Sequence, residues 1–140
     1  MHVREMIATN PKLSANLKDA LIRCIEECYG CAQTCSACAD ASLGEDMVKD
    51  MVQCIRLCLD CSDLCYTTGV ILSRRGGGAE PVIRRTLEAC AEGCARAGAE
   101  CSRFADRMQH CRICAEACHS CEEACLTAMV AIGPQPSLHH

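Results

Sequence analysis

The sequence predicts an all-α protein, an up-down-up-down four-helix bundle with a short N-terminal extension, in which residues 1–140 form a single domain. All 17 cysteines fall into four runs in which most neighbours are three or four residues apart. This spacing follows the 3.6-residue turn of an α-helix, so each run lines up as one narrow stripe. Short links join the four predicted helices, which makes each helix return beside the previous one.

The thiol stripe occupies the seam that leucine and isoleucine usually fill in a helix bundle. By run, its members are Cys24, Cys28, Cys31, Cys35 and Cys38; Cys54, Cys58, Cys61 and Cys65; Cys90, Cys94 and Cys101; and Cys111, Cys114, Cys118, Cys121 and Cys125.

The first two helices have recognisable start signals. Asn10-Pro11 predicts the start of the first helix, because proline suits the first helical turn. Ser42 and Glu45 match a capping box, which predicts the start of the second helix. Met47 and Met51 then lie on the seam of that helix, ahead of its cysteines.

The last two helices follow a linker, predicted at Arg74 to Gly78. The third helix restarts at Glu80-Pro81, and the fourth begins near Gln109. Gly133 to Pro136 ends the fourth helix, and the tail Ser137 to His140 is predicted to be disordered.

The topology predicts two chemically different poles. One pole is aliphatic and predicted to be closed by Leu13, Leu17, Leu21, Leu72, Ile83, Leu87 and Met129. The other collects soft or borderline metal ligands and is predicted to be a mouth: Cys38, Met47, Met51, Met108 and His110. The empty bundle is expected to fold, because aliphatic side chains bury apolar area and reduced cysteine behaves as a small hydrophobe. The aliphatic set expected to be buried also includes Val130 and Ile132.

Composition narrows the function classes. The formal net charge of −4 disfavours nucleic acid as a partner. No stretch is apolar enough to span a membrane, so the chain is predicted to be soluble. The segment Met1 to Ile7 lacks the features of a secretory signal, which predicts a cytoplasmic protein. Because cytosolic thiols are kept reduced, this many cysteines indicates metal binding.

Disulfides, zinc and iron–sulfur clusters explain the cysteines less well than copper does. An odd number of cysteines cannot all pair within one chain. Structural zinc takes four ligands per ion, so one or two sites would use far fewer thiols, although a few zinc ions can still bind. An iron–sulfur cluster also takes four thiolates, and the sequence contains no loop that would wrap one.

Cu(I) fits the pattern because soft thiolates select it and because it accepts two or three sulfur ligands. Adjacent thiolates can then bridge successive ions along the stripe. If each ion takes two thiolates and each thiolate bridges two ions, the capacity is roughly 17 ions per chain. The many Cys-x-x-Cys pairs in helical phase with Cys-x-x-x-Cys steps support this interpretation.

With these four runs, the chain resembles the cytosolic copper storage proteins, a family of cysteine-lined four-helix bundles that fill their core with Cu(I). The resemblance covers roughly residues 11–132 and implies homotetramers of bundles, thiolate-bridged Cu(I) and a mouth with His or Met. The 17 cysteines match the storage ligands and His110 matches the mouth histidine. Met47, Met51 and Met108 are further candidate ligands. The resemblance favours copper homeostasis, with copper ions and a copper chaperone as partners.

One departure from the family pattern is the gap between Cys94 and Cys101, where Ala97 holds the seam position. It predicts fewer thiols beside the third helix. Gly93 and Gly98 on the same helix are expected to permit close approach of a neighbour.

The alternative function is a dithiol oxidoreductase, which needs a cysteine of lowered pKa near basic groups. Cys111, beside Arg107 and Arg112, is the best candidate, but the seam favours a binding protein that is not an enzyme. Glu116 and His119 match half of a di-iron motif. Both are predicted to face outward, so a di-iron site is rejected.

Overall fold

The computed structural model describes residues 1–75 and 81–133 and, within them, is helical without strands. A short helix α1 spans Val3–Ala8. The four long helices are α2 (Ala15–Leu43), α3 (Val52–Arg75), α4 (Pro81–Ser102) and α5 (Gln109–Ile132). A 3₁₀ turn at Val48–Met51 leads into α3.

The four long helices form the predicted four-helix bundle. Helix α2 packs against α3 and α5, and α4 packs against the same two neighbours from the other side. Helix α1 lies against α2 and α3, and the Nζ atom of Lys18 donates a hydrogen bond to the Ala8 carbonyl oxygen at 2.9 Å. Among the described residues, none of the helices combines the length and apolarity needed to cross a membrane.

The first long helix begins later than the Asn10-Pro11 signal predicts. Ser14 is the N-cap of α2, and its hydroxyl oxygen accepts a hydrogen bond from the backbone N–H of Leu17 at 3.4 Å. Asn10 instead forms a local turn, because its side-chain oxygen accepts a hydrogen bond from the Lys12 N–H at 3.0 Å. The prediction was wrong because both residues suit a tight turn as well as they suit a helix start.

The predicted capping box at Ser42 and Glu45 is also wrong. Ser42 lies in the last turn of α2, which ends at Leu43, and its buried hydroxyl has no hydrogen-bond partner among the described residues. The Met47 side chain is half-buried in the connection before the 3₁₀ turn, and the buried Met51 is the last residue of that turn. Neither methionine lies on α3, as had been predicted. The connection therefore contains more ordered structure than a simple helix start.

The two ends of the core differ as predicted. The aliphatic end contains fully buried Leu21, Leu72, Ile83 and Leu87. Val130 contradicts the prediction, since it is 83% exposed. It lies on the outer face of α5, where the apolar residue neither belongs to the thiol stripe nor meets another described helix.

Glycines allow helix α4 to approach its neighbours closely, as predicted. A Cβ atom at Gly93 would lie 2.6 Å from the Leu64 Cδ1 atom of α3. A Cβ atom at Gly98 would lie 3.2 Å from the Cys118 Cβ atom of α5.

Arg74 and Arg75 were predicted to belong to the linker but are the last residues of α3. Helix α5 ends at Ile132 with Gly133 as its C-cap, as predicted. The rest of the linker prediction, residues 76–78, and the tail lie outside the described residues.

We expect Leu21→Ala or Leu87→Ala to lower the free energy of unfolding of the reduced, metal-free protein by about 2–5 kcal/mol each, because each substitution leaves a cavity in a fully buried position. Urea denaturation followed by circular dichroism measures this change. Val130→Ala is the matched control and should change the free energy by less than about 0.5 kcal/mol. Equal losses for all three variants, or a random-coil spectrum of the metal-free wild type, would contradict the assignment of the aliphatic end.

Candidate metal centre

Buried thiols fill the centre of the bundle. All 17 cysteines are free and buried. Sulfur contacts of 3.4–4.0 Å connect cysteines on all four long helices. The four stripes predicted from the sequence therefore meet along one axis, and metal ions held there can share ligands from several helices.

Four groups along this axis each hold four sulfur atoms within 4.8 Å of one another. The mouth group comprises Cys38, Cys58, Cys101 and Cys114, one from each long helix. The middle group comprises Cys31, Cys35, Cys61 and Cys118. The bridging group comprises Cys31, Cys65, Cys94 and Cys121, and the deep group comprises Cys28, Cys90, Cys121 and Cys125. Shared Cys31 and Cys121 link the last three groups into one continuous array.

The gap in the third cysteine run appears at the middle group. This group contains two cysteines from α2 and one each from α3 and α5, but none from α4. Ala97 of α4 is fully buried in the gap. The prediction of fewer thiols beside this helix is therefore confirmed.

His110 lies at the mouth and contacts two thiols. Its Nδ1 atom is 3.4 Å from the Cys38 sulfur and 3.6 Å from the Cys111 sulfur. These three side chains form a further group whose ligand atoms lie within 4.8 Å of one another. The prediction that His110 lies close to the thiol stripe is confirmed.

Glu45 orients this histidine from the connection between α2 and α3. The Glu45 Oε2 atom lies 2.8 Å from the His110 Nε2 atom. When the neutral ring carries its proton on Nε2 and donates it to this carboxylate, the Nδ1 lone pair faces Cys38 and Cys111. Metal-binding histidines are commonly held by a second hydrogen bond of this kind.

Sequence reasoning missed the role of Glu45 because the residue fitted a capping box. A usable signal was present, however. In an antiparallel bundle, the connection after the first long helix lies at the same pole as the start of the fourth. An acidic residue in that connection can therefore meet His110.

The other residues predicted at the mouth lie at the same pole but differ in burial and in their contacts. Met51 and Met108 are buried, and Met108 is the N-cap residue of α5. The Met47 sulfur accepts a hydrogen bond from Arg107 Nη1 at 3.7 Å. Phe104 is also buried there, with the guanidinium carbons of two arginines 5.4 Å from its ring centroid, which the sequence analysis did not anticipate.

An open groove of about 310 Å³ reaches the mouth between α2 and α5. Cys38 and His110 lie on its wall, together with Thr34, Ala41 and Ile113. A small ion can therefore approach the Cys38 sulfur and the His110 ring from solvent.

The thiols at the mouth differ in acidity. Hydrogen bonds from Cys101 and then Cys114 lower the pKa of Cys38 to about 6, and the protonated form of the His110 ring adds to this effect. The lowered pKa favours the thiolate form of Cys38. Burial raises the pKa of Cys111 to about 12, which is opposite to the change that a redox-active cysteine needs.

The pKa values of the thiols also alternate deeper in the bundle, because a hydrogen bond between two thiols favours the thiolate form of one partner. Hydrogen bonds from Cys125 and Cys28 lower the pKa of Cys24 to about 5. The same cause lowers the pKa of Cys90, chiefly through Cys121, while the pKa of the donor thiol Cys28 is raised. Such alternation lowers the cost of deprotonating one thiol of each pair when a metal ion binds.

The Glu116 and His119 side chains are both exposed, as predicted. The His119 Nε2 atom lies 3.3 Å from the Glu123 Oε1 atom. Neither side chain faces the core, which agrees with the rejection of a di-iron site.

Comparisons with known proteins identify relatives of this architecture. A family model described as copper storage protein matches residues 17–130. The chain is similar to the copper storage protein Ccsp of Streptomyces lividans in a structure loaded with 10 copper equivalents. The two are 47% identical with a TM-score of 0.85, and the match covers 92% of this chain and 98% of that chain. A five-copper structure of a cytosolic copper storage protein from S. lividans is 52% identical, with a TM-score of 0.77 and coverage of 80% and 93%.

A more distant relative is the uncharacterized cysteine-rich protein YhjQ of Bacillus subtilis. It is 31% identical over 102 residues, which cover 73% of this chain and 89% of the relative.

We expect Glu45→Gln to lower the pKa of His110. Burial alone lowers this pKa, but hydrogen bonds and charge attraction from Cys38 and Glu45 raise it above its ordinary value. A glutamine can still accept the hydrogen bond but removes the negative charge. NMR titration of the imidazole in the reduced, metal-free protein measures the shift, with Glu116→Gln as an exposed control on the same helix as His110.

The same contact sets a pH dependence of stability. Because the pKa of folded His110 is raised, its contribution is fully present below the pKa of the unfolded chain and is lost as the pH rises through the folded pKa. Glu45→Gln should reduce this contribution at low pH. An unchanged His110 titration in Glu45→Gln would contradict the assigned contact.

Proposed function

The chain belongs to the copper storage protein family, and we propose that it is a cytosolic Cu(I) reservoir that binds many cuprous ions through bridging thiolates in the bundle core. In this role it sequesters copper from redox chemistry and from the metal sites of other proteins. The observation that carries the proposal is the continuous array of buried, reduced thiols that joins all four long helices.

The spacing of the array suits bridged Cu(I). Sulfur neighbours at 3.4–4.0 Å let one thiolate contact two successive ions. With all 17 cysteines as storage ligands, the capacity is roughly 17 ions per chain. Each ion that replaces one thiol proton leaves the copper–thiolate unit neutral, so a full core avoids the cost of buried charge.

Copper enters, in this proposal, at the pole that contains His110 and the methionines Met47, Met51 and Met108. Imidazole and thioether donors bind Cu(I) less strongly than thiolates, so they can pass it inward. The first thiolate beside His110 is Cys38, whose lowered pKa makes it ready to bind. The opposite pole is closed by buried aliphatic side chains, with Met129 half-buried against the core.

We further propose that the protein is cytoplasmic, acts in copper homeostasis and exchanges copper with a chaperone. The S. lividans relative is described as cytosolic, which supports the location.

A homotetramer is supported by large exposed apolar side chains on α3. Val52, Leu59 and Tyr66 are each 46–60% exposed and follow one another at seven-residue intervals, so they share one face that a second copy can cover.

The chain also acts, in this proposal, as one domain and as a binding protein without catalysis. The raised pKa of Cys111 removes the best candidate for a dithiol oxidoreductase. The other cysteines are buried as well, and even Cys38 on the groove wall is only 2% exposed, which keeps its sulfur from a protein disulfide substrate.

Stopped-flow loading with Cu(I) tests the reservoir and its mouth together. We expect the reduced wild type to take up roughly 17 ions per chain in competition with a cuprous chelator. The double variant His110→Ala/Met108→Leu should load more slowly and unload more slowly to a chelator. Its final number of bound ions should stay within about one of the wild type, because all thiolates remain.

Leu17→Ala/Leu21→Ala is the control at the opposite pole. It should lose stability but keep wild-type loading rates. The mouth is at the wrong end if this control loads abnormally while the His110/Met108 variant behaves like the wild type. Uptake of only one or two ions by the wild type would contradict the reservoir itself.

A further inference from the structure

The geometry points to a second binding capacity: the mouth, middle and deep groups form three separate sites for four-coordinate divalent ions such as Cd²⁺ and Zn²⁺. This inference concerns the copper-free protein and goes beyond Cu(I) storage. The expected stoichiometry is three divalent ions per chain. This number is smaller than the copper capacity, and it is also smaller than the four ions that 17 thiols could bind at four thiols per ion.

The spacing of the sulfur atoms suits tetrahedral coordination. A tetrahedral ion with metal–sulfur bonds of about 2.3 Å places its four sulfur atoms about 3.8 Å apart. In the middle group, the Cys31 sulfur lies 3.8 Å from that of Cys35 and 3.9 Å from that of Cys118. In the mouth group, the Cys58 sulfur lies 3.4 Å from that of Cys101 and 3.8 Å from that of Cys114.

The deep group has similar spacing, and its Cys28 sulfur lies 4.0 Å from that of Cys90 and 3.8 Å from that of Cys121. All sulfur pairs within each group are at most 4.8 Å apart. Small side-chain rotations therefore complete each tetrahedron without moving the helices.

The number three follows from which groups share ligands. The mouth, middle and deep groups have no cysteine in common. The bridging group shares Cys31 with the middle group and Cys121 with the deep group, so it cannot be filled beside either. Cys24, Cys54 and Cys111 belong to none of these four groups.

Charge distinguishes these sites from the copper-loaded core. Each divalent ion binds four thiols, releases four protons to water and leaves a unit with two negative charges. The surrounding core consists of apolar side chains and further thiols, with Ser42 and Thr68 as the buried polar residues described. Each divalent unit therefore carries a cost of buried charge. Cu(I), by contrast, adds one positive charge for each proton lost.

Titration of the reduced, copper-free protein with Cd²⁺ tests this inference. Cadmium–thiolate charge-transfer absorption should rise linearly and stop at three ions per chain, and ¹¹³Cd NMR should resolve three all-sulfur resonances. Cys101→Ser removes a ligand of the mouth group and should reduce the stoichiometry from three to two. Cys54→Ser is the matched control, because Cys54 is buried and its sulfur lies 3.5 Å from that of Cys101.

The Cys54→Ser variant should still bind three ions. The inference is overturned if wild type takes up more than three ions, which would indicate bridged clusters, or fewer than three. It is also overturned if both variants lose the same amount of cadmium. The ¹¹³Cd spectrum of the wild type decides the matter if either variant fails to fold.

Discussion

Contact between thiols across four helices is the interaction on which this structure depends. Sulfur atoms at 3.4–4.0 Å require helix axes that lie close together, and small residues make that possible. Gly98 brings α4 against Cys118 of α5, and Gly93 makes room for Leu64. Ala97 fills the seam position where a fourth thiol on α4 is missing.

Because thiols fill the centre of the core, the two ends of the bundle have different roles. Thiols are weak hydrophobes, so they give less apolar stabilisation than leucine or isoleucine in the same positions. The fully buried Leu21, Leu72, Ile83 and Leu87 supply that stabilisation at one end. The other end can then be built from Glu45, His110 and methionines, with an open groove between α2 and α5.

This asymmetry also orders the chemistry along the axis. At the mouth, His110 and Cys38, whose pKa is lowered, lie at the wall of the groove. Farther in, successive groups share Cys31 and Cys121, so an ion can exchange ligands stepwise without leaving sulfur coordination. Storage and transfer thus use the same set of side chains.

Helical periodicity was sufficient to predict the four helices, the thiol stripe and the chemical difference between the poles. It was insufficient for the connections, where the same residues suit several local structures. Asn10 and Pro11 form a turn before the true cap at Ser14. Glu45 pairs with a residue 65 positions away, which no local capping rule can reveal.

The outer faces of the helices were also hard to predict, because an apolar residue near a helix end can belong to either side. Val130 is exposed on α5, whereas Ile132 packs against the core. Helix α1 is short, and its position depends on contacts with α2 and α3 more than on its own sequence.

X-ray absorption at the copper edge of the fully loaded, reduced protein tests the central claim most directly. Bridging thiolates predict a Cu(I) edge, a first shell of two or three sulfur atoms and a second shell of neighbouring copper ions at short distance. Isolated copper ions without copper neighbours, or a first shell dominated by nitrogen and oxygen, would contradict a core that stores copper through shared thiolates.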